Sequence, residues 1–259
     1  METEPRRPFR PDPTSHGPRE MVREFILAAR EKHESESGDP AAASELPGDL
    51  AAAIALLRPP GPEHPRALVD VISSRRSTSL RASGPLPLDA LAALLANAEP
   101  AHAGPLCPDP QLRALLFVVA LEVGSVDGSS LDPGAYRYDD LEHRLLPIQP
   151  VDREQLRAEV LLQHDQGDAA ALVFVVTPLA RWLRAQGDRG YRGALMSVGW
   201  AVDSLYLSAE GLGLGLRYSA TGGFALTRAN ATLKIDGYHF TTALAFALGT
   251  RPPTQSPAR

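Results

Sequence analysis

The sequence predicts an α+β domain with a small sheet and one long buried helix. Three observations lead there. From Pro65 onward, helix and strand signals alternate along the chain. Two apolar, valine-rich runs, Leu115 to Val123 and Ala170 to Val176, are bounded by turn residues, as strands buried on both faces are. The stretch Arg189 to Leu212 is apolar at helical spacing and on more than one side, which places it centrally or at a subunit interface.

The elements follow in order. Residues 1–19 are rich in proline and charge and poor in large apolar side chains, so little burial offsets the entropy of ordering and a disordered tail is expected. Residues 20–62 form a helical extension and linker. In it Met21, Phe25, Ile26 and Ala29 recur at helical spacing, Ala51 to Leu57 is a second short helical candidate, and Arg58-Pro59-Pro60-Gly61-Pro62 cannot continue a helix. The main domain spans 63–251. It opens with a helix from Pro65 to Ser74, started by its own proline, and a second from Leu88 to Ala98, with Asp89 in the first turn where the helix dipole favours a carboxylate. Asp152 followed by Gln155 resembles a capping box and starts a helix ending near His164. In the long helix Tyr191, Leu195, Val198, Val202, Leu205, Ala209 and Leu212 make the main stripe. Leu216 to Ala220 and Phe240 to Leu248 read as two more strands, separated by a short helix that Thr227 could cap. Residues 252–259 are expected to be a flexible tail.

Composition narrows the function. A chain of 259 residues, 44% hydrophobic, can bury one full core. A formal charge of −5 with no long basic run disfavours a nucleic-acid partner. No stretch is long and apolar enough for a membrane span, the start lacks the apolar core of a signal peptide, and the single cysteine, Cys107, excludes an internal disulfide framework. These features place the protein in the cytoplasm. No Gly-x-Ser-x-Gly elbow, Cys-x-x-Cys or His-x-x-x-His pair is present. Gly211-Leu-Gly213-Leu-Gly215 follows a helix instead of joining a strand to one, so it reads as a helix end and turn, not a dinucleotide loop.

The segment Ile72-Ser-Ser-Arg75-Arg76-Ser77 brings two guanidinium groups and a hydroxyl together, a set that can hold a phosphate monoester or simply complement a helix C-terminus. With three further segments it resembles the SagB-type dehydrogenases of the nitroreductase family. These are Pro133-Gly134-Ala135-Tyr136-Arg137-Tyr138-Asp139 with His143-Arg144-Leu145 and Ile148, Gly187-Asp188-Arg189-Gly190-Tyr191-Arg192 leading into the long helix, and Gly222-Gly223-Phe224 before a final strand closing in Leu248-Gly249. The resemblance runs from about Leu68 to Arg251, in order.

It implies a nitroreductase-like fold with a small mixed sheet, a homodimer, and FMN at the subunit interface. Carried over by position, Arg75, Arg76 and Ser77 hold the phosphate and ribityl chain, Arg251 adds a cationic contact or is a solvated charge, and Gly222 and Gly223 lie near the reactive edge of the flavin ring or form a plain turn. The implied reaction is oxidation of thiazoline or oxazoline rings in a ribosomally made peptide, beside a cyclodehydratase partner. The family's lysine-tyrosine pair is replaced here by Ala185 and Gln186. Any base must therefore come from elsewhere, with Tyr191, Arg192 and His102 the nearest candidates, although Tyr191 reads more readily as a core residue on the helix stripe. Two alternatives stand beside this one: a general NAD(P)H-dependent nitroreductase, and a non-catalytic flavin-fold scaffold in a peptide-modifying complex.

Overall fold

The computed structural model describes residues 46–57, 66–102, 109–124 and 130–251, without the side chains of residues 99–102 and 164. The expected tails, the helix from Met21 to Ala29, the proline-rich boundary and Cys107 lie outside the described residues.

Nine strands are present among them. β1 is Ile54–Ala55, β2 Leu86–Pro87, β3 Leu115–Ala120, β4 Val123–Gly124 and β5 Gly134–Asp139. They are followed by β6 (Arg144–Pro150), β7 (Ala171–Thr177), β8 (Leu216–Thr221) and β9 (Thr241–Thr250). Seven of them form one sheet in the order β1-β6-β5-β3-β7-β9-β8, antiparallel at every ladder. Parallel pairing is confined to the separate β2–β4 pair. The main sheet is thus larger than expected and antiparallel throughout, and only the separate two-stranded sheet makes the described sheets mixed in direction.

Central β7 explains the core. All its residues are buried, and alternate side chains serve opposite faces: Val173 and Val175 join one cluster, Leu172, Phe174 and Val176 the other. Full burial of each such side chain contributes about 1.5–3 kcal/mol. Two helices cover the first face. They are α2 (Leu88–His102), through Leu91, Leu94 and Leu95, and α5 (Gly190–Gly211), through Val198, Val202 and Leu205. The second face packs Phe224 and two short helices, α3 (Arg153–Glu159) and α6 (Leu226–Thr232). The remaining helices are α1 (Leu68–Ser74) and α4 (Leu179–Gln186).

Small residues let α5 pack closely. Ala194, Ser197, Ala201 and Ser204 are buried along it, and a Cβ on Gly190 would lie 2.1 Å from the Trp182 carbonyl oxygen of α4. Its expected stripe holds at Val198, Val202, Leu205 and Ala209, but Leu195 is 48% exposed.

Other expectations are corrected. Ala51 to Leu57 contains no helix, because Ile54 and Ala55 pair with Leu145 and Arg144 at the sheet edge. Thr227 lies inside α6, whose N-cap, Ala225, makes no side-chain cap bond. Asp152 does cap α3, accepting from the Gln155 N–H at 2.8 Å, yet the helix stops at Glu159 and the chain bridges from Leu161 to Phe224. After α5, Gly213 and Gly215 adopt φ of +64° and +65°, the left-handed turn expected of that glycine run.

Candidate functional site

Beyond α1 the chain turns extended at Arg75 and docks on β8. Thr78 N–H donates to the Tyr218 carbonyl at 2.9 Å, and Tyr218 N–H donates to Thr78 Oγ1 at 2.8 Å. This docking carries Arg75 to Ser77 across the C-terminal part of α5. The Arg75 guanidinium lies over the Tyr206 ring, 5.0 Å from its centroid, and Ser77 Oγ shares a 3.0 Å hydrogen bond with the Tyr206 hydroxyl. That hydroxyl also accepts from the Ala220 N–H of β8 at 2.8 Å. Arg76 points elsewhere. Its guanidinium donates to the Ser73 and Arg75 carbonyls, each at 2.9 Å, and so closes the helix end.

One turn beyond Tyr206 stands Glu210. Its carboxylate accepts from the Tyr218 hydroxyl at 2.6 Å, Ser74 Oγ at 2.7 Å and Arg66 Nη1 at 2.8 Å. Hydrogen bonds from Tyr218, then Ser74, then Arg66 hold its pKa down to about 2. Burial and this neighbouring carboxylate push the Tyr218 phenol well above its ordinary value. Glu210 therefore ties α1 and β8 to α5, beside the residues expected to hold phosphate.

Gly222 and Gly223 follow β8 directly. They differ in kind. Gly223 N–H is engaged by Thr221 Oγ1 at 2.8 Å, and a Cβ there would meet the Gln163 side chain at 3.0 Å, a close approach that Gln163 would have to relax. Gly222 is exposed, and a Cβ on it would meet only Leu244 Cδ2 at 3.7 Å. A planar group can approach the backbone there.

Register orders the rest. Leu216 pairs with Thr250 and Thr221 with Ala245, so Arg251 stands exposed at the end of β8 opposite Gly222. Along β8 the groups run from Arg251, through Thr78 at Tyr218 and Ser77 at the level of Ala220, to Gly222. Tyr191 is half-buried in the first turn of α5, about 22 Å from Tyr206 at a rise of ~1.5 Å per residue. The structure does not bring it to the Arg75 cluster. His102 ends α2, with its side chain outside the described residues. Ala185 and Gln186 are exposed at the end of α4.

Sequence reasoning missed Tyr206, Glu210 and Tyr218 as parts of the site. The only local signal was their polarity on or beside a helix otherwise read as core. Within the Pro133 to Asp139 segment, Gly134 to Asp139 form β5, with Tyr136 and Tyr138 buried and the Tyr138 hydroxyl bonded to His143 Nδ1 at 2.8 Å.

A cleft of about 240 Å³ lies on the other sheet face, between α3 and α6. It contains none of these residues. Its carboxylates are engaged, Asp152 as the α3 cap and Glu159 with Arg228 at 3.8 Å, so the convergent groups on β8 define the better site. Among the described residues no cluster could hold a metal ion, and no helix is long and apolar enough to cross a membrane.

Comparisons with known proteins bear on this arrangement. The model of the nitroreductase family matches residues 72–250. A nitroreductase-type protein of Methanocaldococcus jannaschii is 28% identical over 174 residues, covering 66% of this chain and 86% of the relative. Among solved structures, one such protein from Anabaena variabilis aligns with a TM-score of 0.66 at 25% identity, over 83% of this chain but only 45% of its own. A chain of the E. coli microcin synthetase McbBCD complex with truncated pro-MccB17 bound aligns with a TM-score of 0.56 at 18% identity, over 90% of this chain and 93% of its own, and shares the fold. With the family model matching from within α1 to the end of β9, well over half of the chain, the chain belongs to the nitroreductase family of flavin oxidoreductases.

Proposed function

We propose that this protein is an FMN-dependent dehydrogenase that oxidises thiazoline or oxazoline rings to thiazole or oxazole in a ribosomally synthesised peptide. It works as a homodimer beside a cyclodehydratase partner. The observation that carries the cofactor assignment is the order of groups along β8: cationic and hydroxyl groups first, then an unobstructed glycine. FMN has a phosphate at one end of a polyol chain and a planar ring at the other, and that polarity fits. Arg75, Ser77 and Arg251 would hold the phosphate and ribityl chain, with Arg76 joining once released from the helix carbonyls. Gly222 would let the ring approach the backbone.

Bound there, FMN supplies an acceptor for the hydride that leaves the azoline ring. The chain's own residues must position the ring, exclude water and take the proton lost from carbon. Ala185 and Gln186 cannot take it, and Tyr191 and His102 remain the proposed bases. The peptide substrate rests on the SagB-type resemblance at Pro133 to Asp139 and His143 to Leu145, and the fold shared with the E. coli synthetase chain is compatible with it.

The test is direct. The purified protein is expected to be yellow, to release FMN on denaturation, and to remove two hydrogens per ring from a thiazoline-bearing peptide, read by mass spectrometry. Tyr191→Phe and His102→Ala are each tested, and loss of a positioned base costs about 10²- to 10⁴-fold in rate. Flavin-loaded protein that leaves the peptide unchanged, even with a cyclodehydratase present, favours the scaffold reading, to which the exposed Ala185 and Gln186 already point.

A further inference from the structure

Resting on that FMN reading, Tyr206, which none of the family motifs quoted above contains, bears on how the phosphate end is built. Arg75 is half-buried, yet its guanidinium has no carboxylate partner and no hydrogen-bond acceptor among the described residues. Arg76, by contrast, already donates to two carbonyls. A cation held over an aromatic face keeps the N–H groups at its edge available, which is where a phosphate oxygen binds. The ring beneath it belongs to Tyr206, and Tyr206 is itself fixed. Its ring meets Phe246 edge-on at 4.9 Å and Tyr218 at 5.6 Å, and its hydroxyl accepts from the Ala220 N–H. The same hydroxyl fixes Ser77 Oγ at 3.0 Å.

We propose that Tyr206 is the positioning residue of the phosphate cradle: its ring face holds Arg75 and its hydroxyl, anchored on β8, holds Ser77, so both donors are set before the anion arrives. A cradle assembled in advance spares the ligand the ordering of two side chains on binding.

The consequence is specific to phosphate. Riboflavin carries the same ring and polyol without it, so the ratio of the riboflavin Kd to the FMN Kd isolates the cradle from the rest of the site. The full chain, stripped of flavin, is titrated with each by flavin fluorescence. Wild type is expected to prefer FMN. Tyr206→Phe, which keeps the ring and its packing, should lower the ratio several-fold, and Tyr206→Leu, which also removes the aromatic face, by roughly three- to thirtyfold, with the riboflavin Kd little changed in both. Ser77→Ala should lower it as Tyr206→Phe does, and the double variant should lose less than the two single losses combined. Should Tyr206→Leu fail to fold, the Tyr206→Phe and Ser77→Ala cycle still decides. An unchanged ratio in Tyr206→Phe, or combined losses with no coupling to Ser77, overturns the role given to Tyr206 while leaving the cofactor reading intact. A wild type that binds riboflavin as tightly as FMN instead overturns the phosphate site itself.

Discussion

Glu210 gathers three donors onto one carboxylate, Ser74 from α1, Tyr218 from β8 and Arg66 from just ahead of α1, and its ionisation strengthens the docking of α1. Because its folded pKa lies near 2, below the ordinary 4.5, its contribution is fully present above the unfolded value and is lost as pH falls from about 4.5 toward 2. Glu210→Gln should therefore lower stability by about 1 kcal/mol at neutral pH, a value discounted for partial exposure, and should flatten the acid limb of the stability curve. Chemical denaturation at a series of pH values checks both. The arginines make a second prediction. Arg75→Ala should cost more FMN occupancy than Arg76→Ala, since Arg76 must first leave two carbonyls, and the double variant should purify without flavin. Equal losses in the single variants, or full occupancy in the double, would count against this division. At this scale the sequence was partly legible. Arg75, Ser77 and Gly222 sit in short motifs that can be read locally. Tyr206 and Glu210 could not be read that way, because their partners Ser77 and Ser74 lie 129 and 136 residues away and meet them only through packing.

Elements were legible where hydrophobic period and length agreed. β3, β7 and α5 stand within a few residues of their expected bounds, because continuous apolar runs and a long helical repeat leave one solution. β1 was not legible. An alanine-rich segment favours helix on its own, and the open edge of β6 overrides it. The β5–β6 hairpin was hidden by Pro147 and Pro150 within β6 and by a turn in which His143 takes φ of +49°. Among the described glycines, the least room for a Cβ is where α4 seats on α5. Gly190→Ala would drive a methyl into the Trp182 carbonyl, and the backbone must move. It should cost about 3 kcal/mol or prevent folding. Gly193→Ala meets only the Trp182 ring, at 2.2 Å, and since a side chain can turn where a backbone cannot, the loss should be smaller. Thermal melts of the two variants give the comparison.

For the whole molecule, the outer stripe of α5 is the feature that the fold leaves unexplained. Leu195 and Met196 are 48% and 57% exposed, and a Cβ at Gly199, one turn further on, would meet nothing within 4 Å. On the first turns of α1, Leu68 and Val69 are exposed as well. We read these surfaces as the homodimer contact, as apolar area of this kind rarely stays open to water. Light scattering should then give twice the 27.7 kDa chain mass. Gly199→Trp should return the protein to a monomer without lowering the stability of the subunit. Gly199→Ala, in a helix interior with open space beside it, should raise that stability by about 0.5–1 kcal/mol. A monomeric wild type at micromolar concentration would remove the dimer.

The stitching of Thr78 to Tyr218 and of Gly84 to Thr250 has a consequence in time. The hydrogen bonds that bring Arg75 and Ser77 to β8 span 140 residues of chain, and those that close the same segment join Gly84 to the last residue of β9. A ribosome that has released α1 through β7 has therefore made a nascent chain in which Arg75 and Ser77 are present, β8 is not there to dock them, and Arg251 is still to come. Contacts of such long range form late and slowly. Cofactor capture should be the closing event of biogenesis: in stopped-flow refolding with FMN present, quenching of flavin fluorescence should lag behind the recovery of helical ellipticity, and chains ending before β8 should not take up the flavin at all.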